Sequence, residues 1–447
     1  MTKPLHIGFS RRLLTPAIPC QMAGFDARKD GARDVHDDLH ARALVFDDGS
    51  VKFALVSVEV IAVSAEFATR VRVAAERATG IPAQNVLLSA THTHCGPVTL
   101  NHFFNQGQPL DTKYLESMEA QIVASIVEAF TARKPRSLRS GLVPCEGIAV
   151  NRRTEDGLPV DPYAGVLLVE ELDGKPVAVG VSYACHTTVL GPDTLSITQD
   201  FPYYTIARLQ EQLGDVEAIY FNGAQGDLSI GHKSDLSAVG VVDSFRTFAT
   251  AQHLGERLAD AVLAGLQELK TVEPVIAIQS ASIRLPLKRY RPLDEMTEAK
   301  RKALAGLEED GEGIELLRRK QTALFARIEE YYALLYEQSQ EHEPKVLPLE
   351  FVAVSVGDIV LLSLPGEIFV QIALDIRKES PFSTTIFLGL TNDYAGYIPS
   401  KGASARAGYE VVASRVPEEA SLQLVEEAVR LLRATRHESL AVQGARG

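Results

Sequence analysis

The sequence predicts an α/β fold of mixed strands and packed helices, with one inserted helical hairpin. Three observations predict it. Short apolar runs of strand length recur along the chain and alternate with longer stretches of helical period. Several of these runs are paired across Asp-Gly or Gly-Asp, the chemistry of a tight antiparallel turn. From Asp294 to His342 the composition shifts to charged helix formers. No low-complexity linker or internal repeat divides the 447 residues, so one unit over 1–447 is expected, with 294–342 inserted in it.

Taken in order, residues 5–9 and 41–46 read as strands. The second turns through Asp47-Asp48-Gly49 into a third strand, Phe53-Ala-Leu-Val-Ser-Val58. Between the first two, Pro16 to Asp38 is irregular and holds Met22-Ala-Gly-Phe25 and a lone His36. A loop of that length is commonly functional, but His36 alone reads as a surface or capping residue. Ser64 caps a helix that Gly80 and Pro82 stop. A buried strand at 85–90 follows. Tyr114, Met118, Ile122, Ile126 and Phe130 then fall every four residues, the apolar stripe of a helix lying on a sheet.

Leu167 to Glu170 and Val177 to Ala184 form a hairpin around Asp173-Gly174, and Glu217 to Phe221 is another short strand. In the charged segment Leu317, Leu324, Ile328, Tyr331 and Leu335 make the seam of two antiparallel helices turned at Asp310-Gly-Glu-Gly313. This hairpin is either scaffolding, a lid, or a contact for a homo-oligomer. A further hairpin joins 351–356 to 359–364 over Gly357-Asp358. Residues 386–390 are the last strand, and Pro417 begins the closing helix.

Lys+Arg 45 against Asp+Glu 58 leaves a net charge of −13, which argues against nucleic acid or an anionic membrane as partner. The four cysteines (Cys20, Cys95, Cys145, Cys185) show no CxxC spacing and fit a reducing compartment. Neither a signal-peptide core nor an apolar run of membrane-spanning length is visible, so the cytoplasm is expected.

The chemistry centres on Asn85-Val-Leu-Leu-Ser-Ala-Thr-His-Thr-His-Cys-Gly-Pro97. A buried strand there delivers two histidines at its end. At i and i+2 of an extended segment the rings point to opposite faces, so His92 is expected to ligate a metal and His94 to face the substrate. Alone, such a pair is as readily two hydrogen-bonded histidines near a turn. The rest of the chain adds weight: His186, Asn222 to Ser229, Glu367 and Tyr394/Tyr397 also sit just past apolar strands, where α/β sheets bind ligands. Imidazole and carboxylate are what zinc takes in hydrolytic sites. The stretch Asn222-Gly-Ala-Gln-Gly-Asp-Leu-Ser229 reads either as an oxyanion cradle or as a tight turn.

Ser89-Ala-Thr-His-Thr-His-Cys-Gly-Pro97 resembles the signature of the neutral/alkaline (non-lysosomal) ceramidases. Met22 to Phe25, His36 to Phe46, Asn151-Arg152, Asn222 to Ser229, Leu364-Pro-Gly-Glu367 and Tyr394-Ala-Gly-Tyr397 are similar to further elements of that family. The twelve-residue gap from Tyr397 to Tyr409 is also the family's. Ile230 and Arg153-Thr154 depart from its pattern.

The resemblance implies β-sheets between layers of helices and the family's N-terminal catalytic domain only. It also implies one Zn2+ per chain on His92, His186, Glu367 and Tyr397. His94, Tyr409, Asp227 and Ser229 would be catalytic, and Arg152 and Asn222 would bind substrate. The implied activity is hydrolysis of an N-acyl amide by metal-activated water, and without an export signal or the family's C-terminal β-rich domain in view a soluble or short-chained substrate is expected. Rival readings are an amidohydrolase-like metal hydrolase of another fold, or a binding protein without turnover.

Overall fold

The structure is a computed structural model that describes residues 4–103, 109–309, 311–339 and 345–446. Its larger sheet runs in the order Glu217–Asn222, Pro176–Tyr183, Tyr163–Glu170, Lys134–Pro144, Leu5–Leu13, His40–Asp47, Lys52–Val58, Val86–Ala90. The short strand Lys270–Thr271 also pairs with Lys134–Pro144. Inner neighbours are antiparallel, but the pair at each end is parallel. Parallel neighbours require a crossover, and each end has a helix to make it, Ala65–Thr79 at one and Phe201–Leu213 at the other. A smaller sheet, Ile276–Pro286, Val346–Val356, Ile359–Ser363, Thr384–Leu388, repeats the device, since its last pair is parallel and crossed by Val370–Glu379.

Four apolar clusters set the layers. Leu44, Phe46, Phe53, Leu55 and Leu167 of the larger sheet meet Val352, Val354, Leu361 and Ile386 of the smaller, so the sheets pack face to face. Helices Ala65–Thr79 and Thr112–Thr131 cover the outer face of one half of the larger sheet. Phe201–Leu213 and Phe248–Gly265 cover the other half. The smaller sheet is backed by Val370–Glu379, Ala420–Arg446 and Gly313–Gln338. The result is the α/β arrangement of sheets between helical layers, not a closed barrel of eight parallel strands.

The local reasons hold where the residues supply them. Ser64 Oγ accepts from the Phe67 N–H (3.2 Å), and Gly80, at φ 73°, closes that helix as only glycine does freely. Met118, Ile122 and Ile126 of the expected stripe are buried. The helix pair Leu293–Ala305 and Gly313–Gln338 occupies the insertion, burying Leu324 and Ile328. Asp310 of its turn and the expected end at His342 lie outside the described residues. Pro417 precedes the closing helix: its carbonyl accepts from the N–H of Ala420, where the helix starts. Among the described residues no helix is long and apolar enough to cross a membrane.

Curling of the larger sheet brings its two end strands together. Ser57 Oγ, on the strand next to the end one, donates to Tyr220 O (2.6 Å), and Asn222 Nδ2 donates to Thr91 O (3.2 Å), just past the end strand Val86–Ala90, although Glu217–Asn222 stands at the opposite end of the hydrogen-bonded order. The last strand of the smaller sheet closes the gap: Gly389 N donates to Asn222 O (2.7 Å) and Gly389 O accepts from Ser89 Oγ (2.9 Å). The ends of three parallel strand pairs thereby converge on one place.

Candidate functional site

His92 leaves the end of strand Val86–Ala90 at φ 67°, a left-handed conformation rare for residues other than glycine. That turn overturns the premise of an extended His92-Thr93-His94. The rings do not part to opposite faces, and His94 Nε2 lies 3.2 Å from His92 Nε2. His94 is packed edge-on by Phe25 (4.8 Å), and its carbonyl accepts from Arg28 Nη1 (2.7 Å). A Cβ on Gly24 would stand 2.4 Å from His94 Cγ, which explains the glycine in Met22-Ala-Gly-Phe25.

His186 arrives from strand Pro176–Tyr183 and Glu367 from beyond Ile359–Ser363; both are buried. His92, His186 and Glu367 each offer a ligand atom within 4.8 Å of the others. Their tautomers are fixed by what lies behind them. His92 Nδ1 donates to Ile61 O (2.8 Å), and His186 Nδ1 to Gln225 O (2.7 Å) and Leu228 O (3.0 Å). A carbonyl only accepts, so Nδ1 carries a proton on both rings, and Nε2 is the atom each ring in its neutral form offers as a lone pair.

Those lone pairs face Glu367 Oε2 at 3.4 Å from His92 and 2.8 Å from His186. Burial, then the Arg152 charge, push His186 down to about 4, so its imidazole is neutral near pH 7. The His186 Nε2 acceptor therefore faces a carboxylate acceptor in a buried space. A divalent cation resolves that arrangement, and the donor set of two imidazoles and a carboxylate suits one. The backbone carbonyls behind the rings are the outer partners that metal-binding histidines ordinarily have.

The remaining expected residues surround this cluster. Arg152 is buried. Its Nη2 donates to Tyr397 Oη (3.2 Å) and Gly226 O (3.0 Å), and Nε to Glu410 Oε1 (2.7 Å). Burial alone would lower its pKa, but Glu410, Tyr397 and Glu367 together outweigh it and raise it. Tyr397 lies nearly parallel to His186, with ring centres 6.4 Å apart, and its phenol is held well above the usual tyrosine range by burial and then Glu367. Tyr409 packs edge-on against Tyr397 at 5.8 Å.

Asp227 accepts from Val370 N (2.8 Å) through one oxygen and Asn151 Nδ2 (2.7 Å) through the other. Ser229 Oγ donates to His232 O (3.1 Å) and accepts from Gly231 N (3.2 Å). Asn222 holds Thr91 O while its Oδ1 is buried without a hydrogen-bond partner among the described residues. The loop between them is a tight turn: Gly223 N donates to Tyr183 O and Gly226 N to Ile368 O.

Sequence reasoning missed two supports. Glu410 is buried and binds Arg152, Arg153 (2.8 Å) and Ser234 (2.5 Å), but one glutamate among many acids gives no signal. Tyr394 donates its hydroxyl to Glu367 Oε1 at 2.6 Å; it stood in the quoted motif without a role. The lone His36 stacks on Phe248 (4.1 Å, 13°) and bonds Asp37, a packing role.

Residues 6–156 match the family model described as "Neutral/alkaline non-lysosomal ceramidase, N-terminal". In fold the chain is similar to the neutral ceramidase from Pseudomonas aeruginosa, with a TM-score of 0.77 and 17% identity, covering 98% of this chain and 75% of that one. It is likewise similar to a structure titled as ceramidase complexed with C2, with a TM-score of 0.74 and 18% identity, covering 98% of this chain and 76% of that one. No curated protein sequence matches the chain. Over residues 6–156 the chain matches the family model of the neutral/alkaline non-lysosomal ceramidases, and over almost its whole length it shares the fold of these two ceramidase structures.

Proposed function

We propose that the protein is a zinc-dependent hydrolase of small N-acyl amides, built as one catalytic unit. One ion per chain is held by His92, His186, Glu367 and Tyr397. The observation that carries this reading is the pair of tautomer-fixed Nε2 lone pairs converging with a buried carboxylate. The fold and the family match support an amide hydrolase as the class. An ion bound there supplies Lewis acidity toward an amide carbonyl and toward water.

The chain's own residues do the rest. His94 is neutral, because burial and then the His92 ring push its pKa well below the usual histidine range. Its Nε2, on the side of the cluster, is the atom placed to carry a proton to the leaving amine. Arg152 fixes the Tyr397 hydroxyl, and Tyr409 beside it offers a phenolic donor to a carbonyl oxygen that gains charge. Asp227 and Ser229, with their polar atoms engaged locally, position the loop that holds His186. Tyr331 and Leu335 of the helix Gly313–Gln338 line a cavity whose wall also includes Tyr394, the residue bonded to Glu367, which favours a lid over a contact between copies.

Metal analysis of the purified protein tests the site. About one zinc per chain is expected, and His92→Ala, His186→Ala and Glu367→Gln should each lose it with the fold retained. Full occupancy in all three variants overturns the ligand set. Bound metal with no hydrolysis of a panel of short N-acyl amides makes the protein a binding module instead.

A further inference from the structure

A cavity of about 410 Å3 adjoins the cluster, and Tyr394, whose hydroxyl is bonded to Glu367, forms part of its wall. Its volume lies toward the lower end of the roughly 300–1,000 Å3 typical of small-molecule pockets. Four charged side chains line it, and three are engaged. Arg70 pairs with Glu119 (2.9 Å) and Glu66 (3.3 Å). Asp393 accepts from the N–H groups of Ala65 (3.1 Å) and Tyr394 (2.7 Å).

The exception is Arg415. It is half-buried in the wall, and among the described residues its guanidinium has no hydrogen-bond or ion-pair partner. An arginine in a cavity wall that no described residue pairs can take a ligand there, and its planar fork matches an oxyanion. Its backbone is fixed: Arg415 O accepts from Lys288 N (2.8 Å), and the preceding Ser414 bridges to Tyr397. Arg415 also stands within electrostatic reach of the cluster. Burial pushes His102 down to about 3, and both the Glu367 and Arg415 charges act on that same ring.

We propose that Arg415 recognises a carboxylate on the substrate. The amide cleaved at the neighbouring cluster then belongs to an N-acyl amino acid or to the monoamide of a dicarboxylic acid. One guanidinium with Asp393 nearby favours a singly charged carboxylate over a dianionic phosphate. This inference rests on the amide-hydrolase reading for the reaction, but not for the binding.

The test uses the zinc-loaded protein and two isosteric pairs: N-acetylglycine with N-acetylglycinamide, and succinamic acid with succinamide. Within at least one pair the acid should exceed its neutral isostere about tenfold or more in kcat/KM, the scale of a charge-assisted hydrogen bond. Whichever pair shows it identifies the half of the substrate that bears the carboxylate. Arg415→Gln should collapse that ratio through KM, with Arg415→Lys retaining part of it.

Equal rates within both pairs for the wild-type protein overturn the inference and leave the amidase standing, and that comparison needs no variant. A ratio unchanged by Arg415→Gln in a folded protein also overturns it. If no compound is hydrolysed, calorimetric binding decides. Tighter binding of an acid than its isostere, lost in Arg415→Gln, sustains carboxylate recognition while the hydrolase reading falls. Equal binding ends both.

Discussion

Replacing Tyr394 by phenylalanine removes one oxygen and nothing else. That oxygen donates to Glu367 Oε1 at 2.6 Å, and Glu367 is only 1% exposed. A hydrogen bond to a charged group contributes about 1.5–3 kcal/mol, a factor of roughly 10–150 in an equilibrium constant. No other donor to Oε1 exists among the described residues, so Tyr394→Phe leaves a buried carboxylate oxygen unpaired. Where the effect appears depends on when the bond acts. If it orients Oε2 toward a bound ion, zinc affinity should fall about 10–100-fold, the usual result of removing an outer partner of a metal ligand. If it is equally strong without the ion, the loss falls on folding stability instead. Competition against a chelator of known affinity reads the first, and the denaturant midpoint of the metal-free protein reads the second. Affinity within about threefold of wild type together with an unshifted midpoint would refute the reasoning.

His94→Ala should keep its metal and lose turnover by roughly 100-fold or more. A metal-free variant would instead make His94 a ligand, which its 3.2 Å approach to His92 Nε2 allows. Cys95→Ser should remain active: burial pushes its thiol up to about 12, and loss of activity with intact metal would point to a cysteine nucleophile. Asp200 caps helix Phe201–Leu213, and burial raises its pKa to about 6 in the fold against about 3.9 when unfolded. The folded state then binds the proton more tightly, so this group's stabilisation is full below about pH 4 and is lost as pH rises through about 6. Asp200→Asn should flatten the dependence of the denaturation midpoint over that interval, and an unchanged slope would place the titration elsewhere.

The strands legible in the sequence are those buried on both faces, because continuous apolar runs mark them: 53–58, 86–90, 217–222 and 359–363. Lys134–Pro144 and Ile276–Pro286 escaped notice. Each is half-exposed and rich in Ser and Arg, so its pattern is close to that of a loop. The polar residues past strand ends were legible as a set because parallel crossovers leave their strand ends in one crevice. Their geometry was not. The positive φ of His92 depends on tertiary bonds, His92 N to Val60 O and Nδ1 to Ile61 O, and no neighbouring residue type announces it. The buried Arg152–Glu410 pair joins residues 258 positions apart, beyond the reach of local pattern.

Gly389 joins both ends of the curled sheet to the edge of the other, and a Cβ there would stand 2.3 Å from Gly223 O. The proposed ligands divide along the same seam, with His92 and His186 on one sheet and Glu367 and Tyr397 on the other side. Neither half of the molecule owns the site. A metal that binds across such a seam favours the docked state by RT ln(1 + [L]/Kd), about 2.7 kcal/mol at a hundredfold excess over Kd. The ion would then act as a clasp as well as a reagent. Even a small wedge such as Gly389→Ala should loosen metal affinity and sheet docking together.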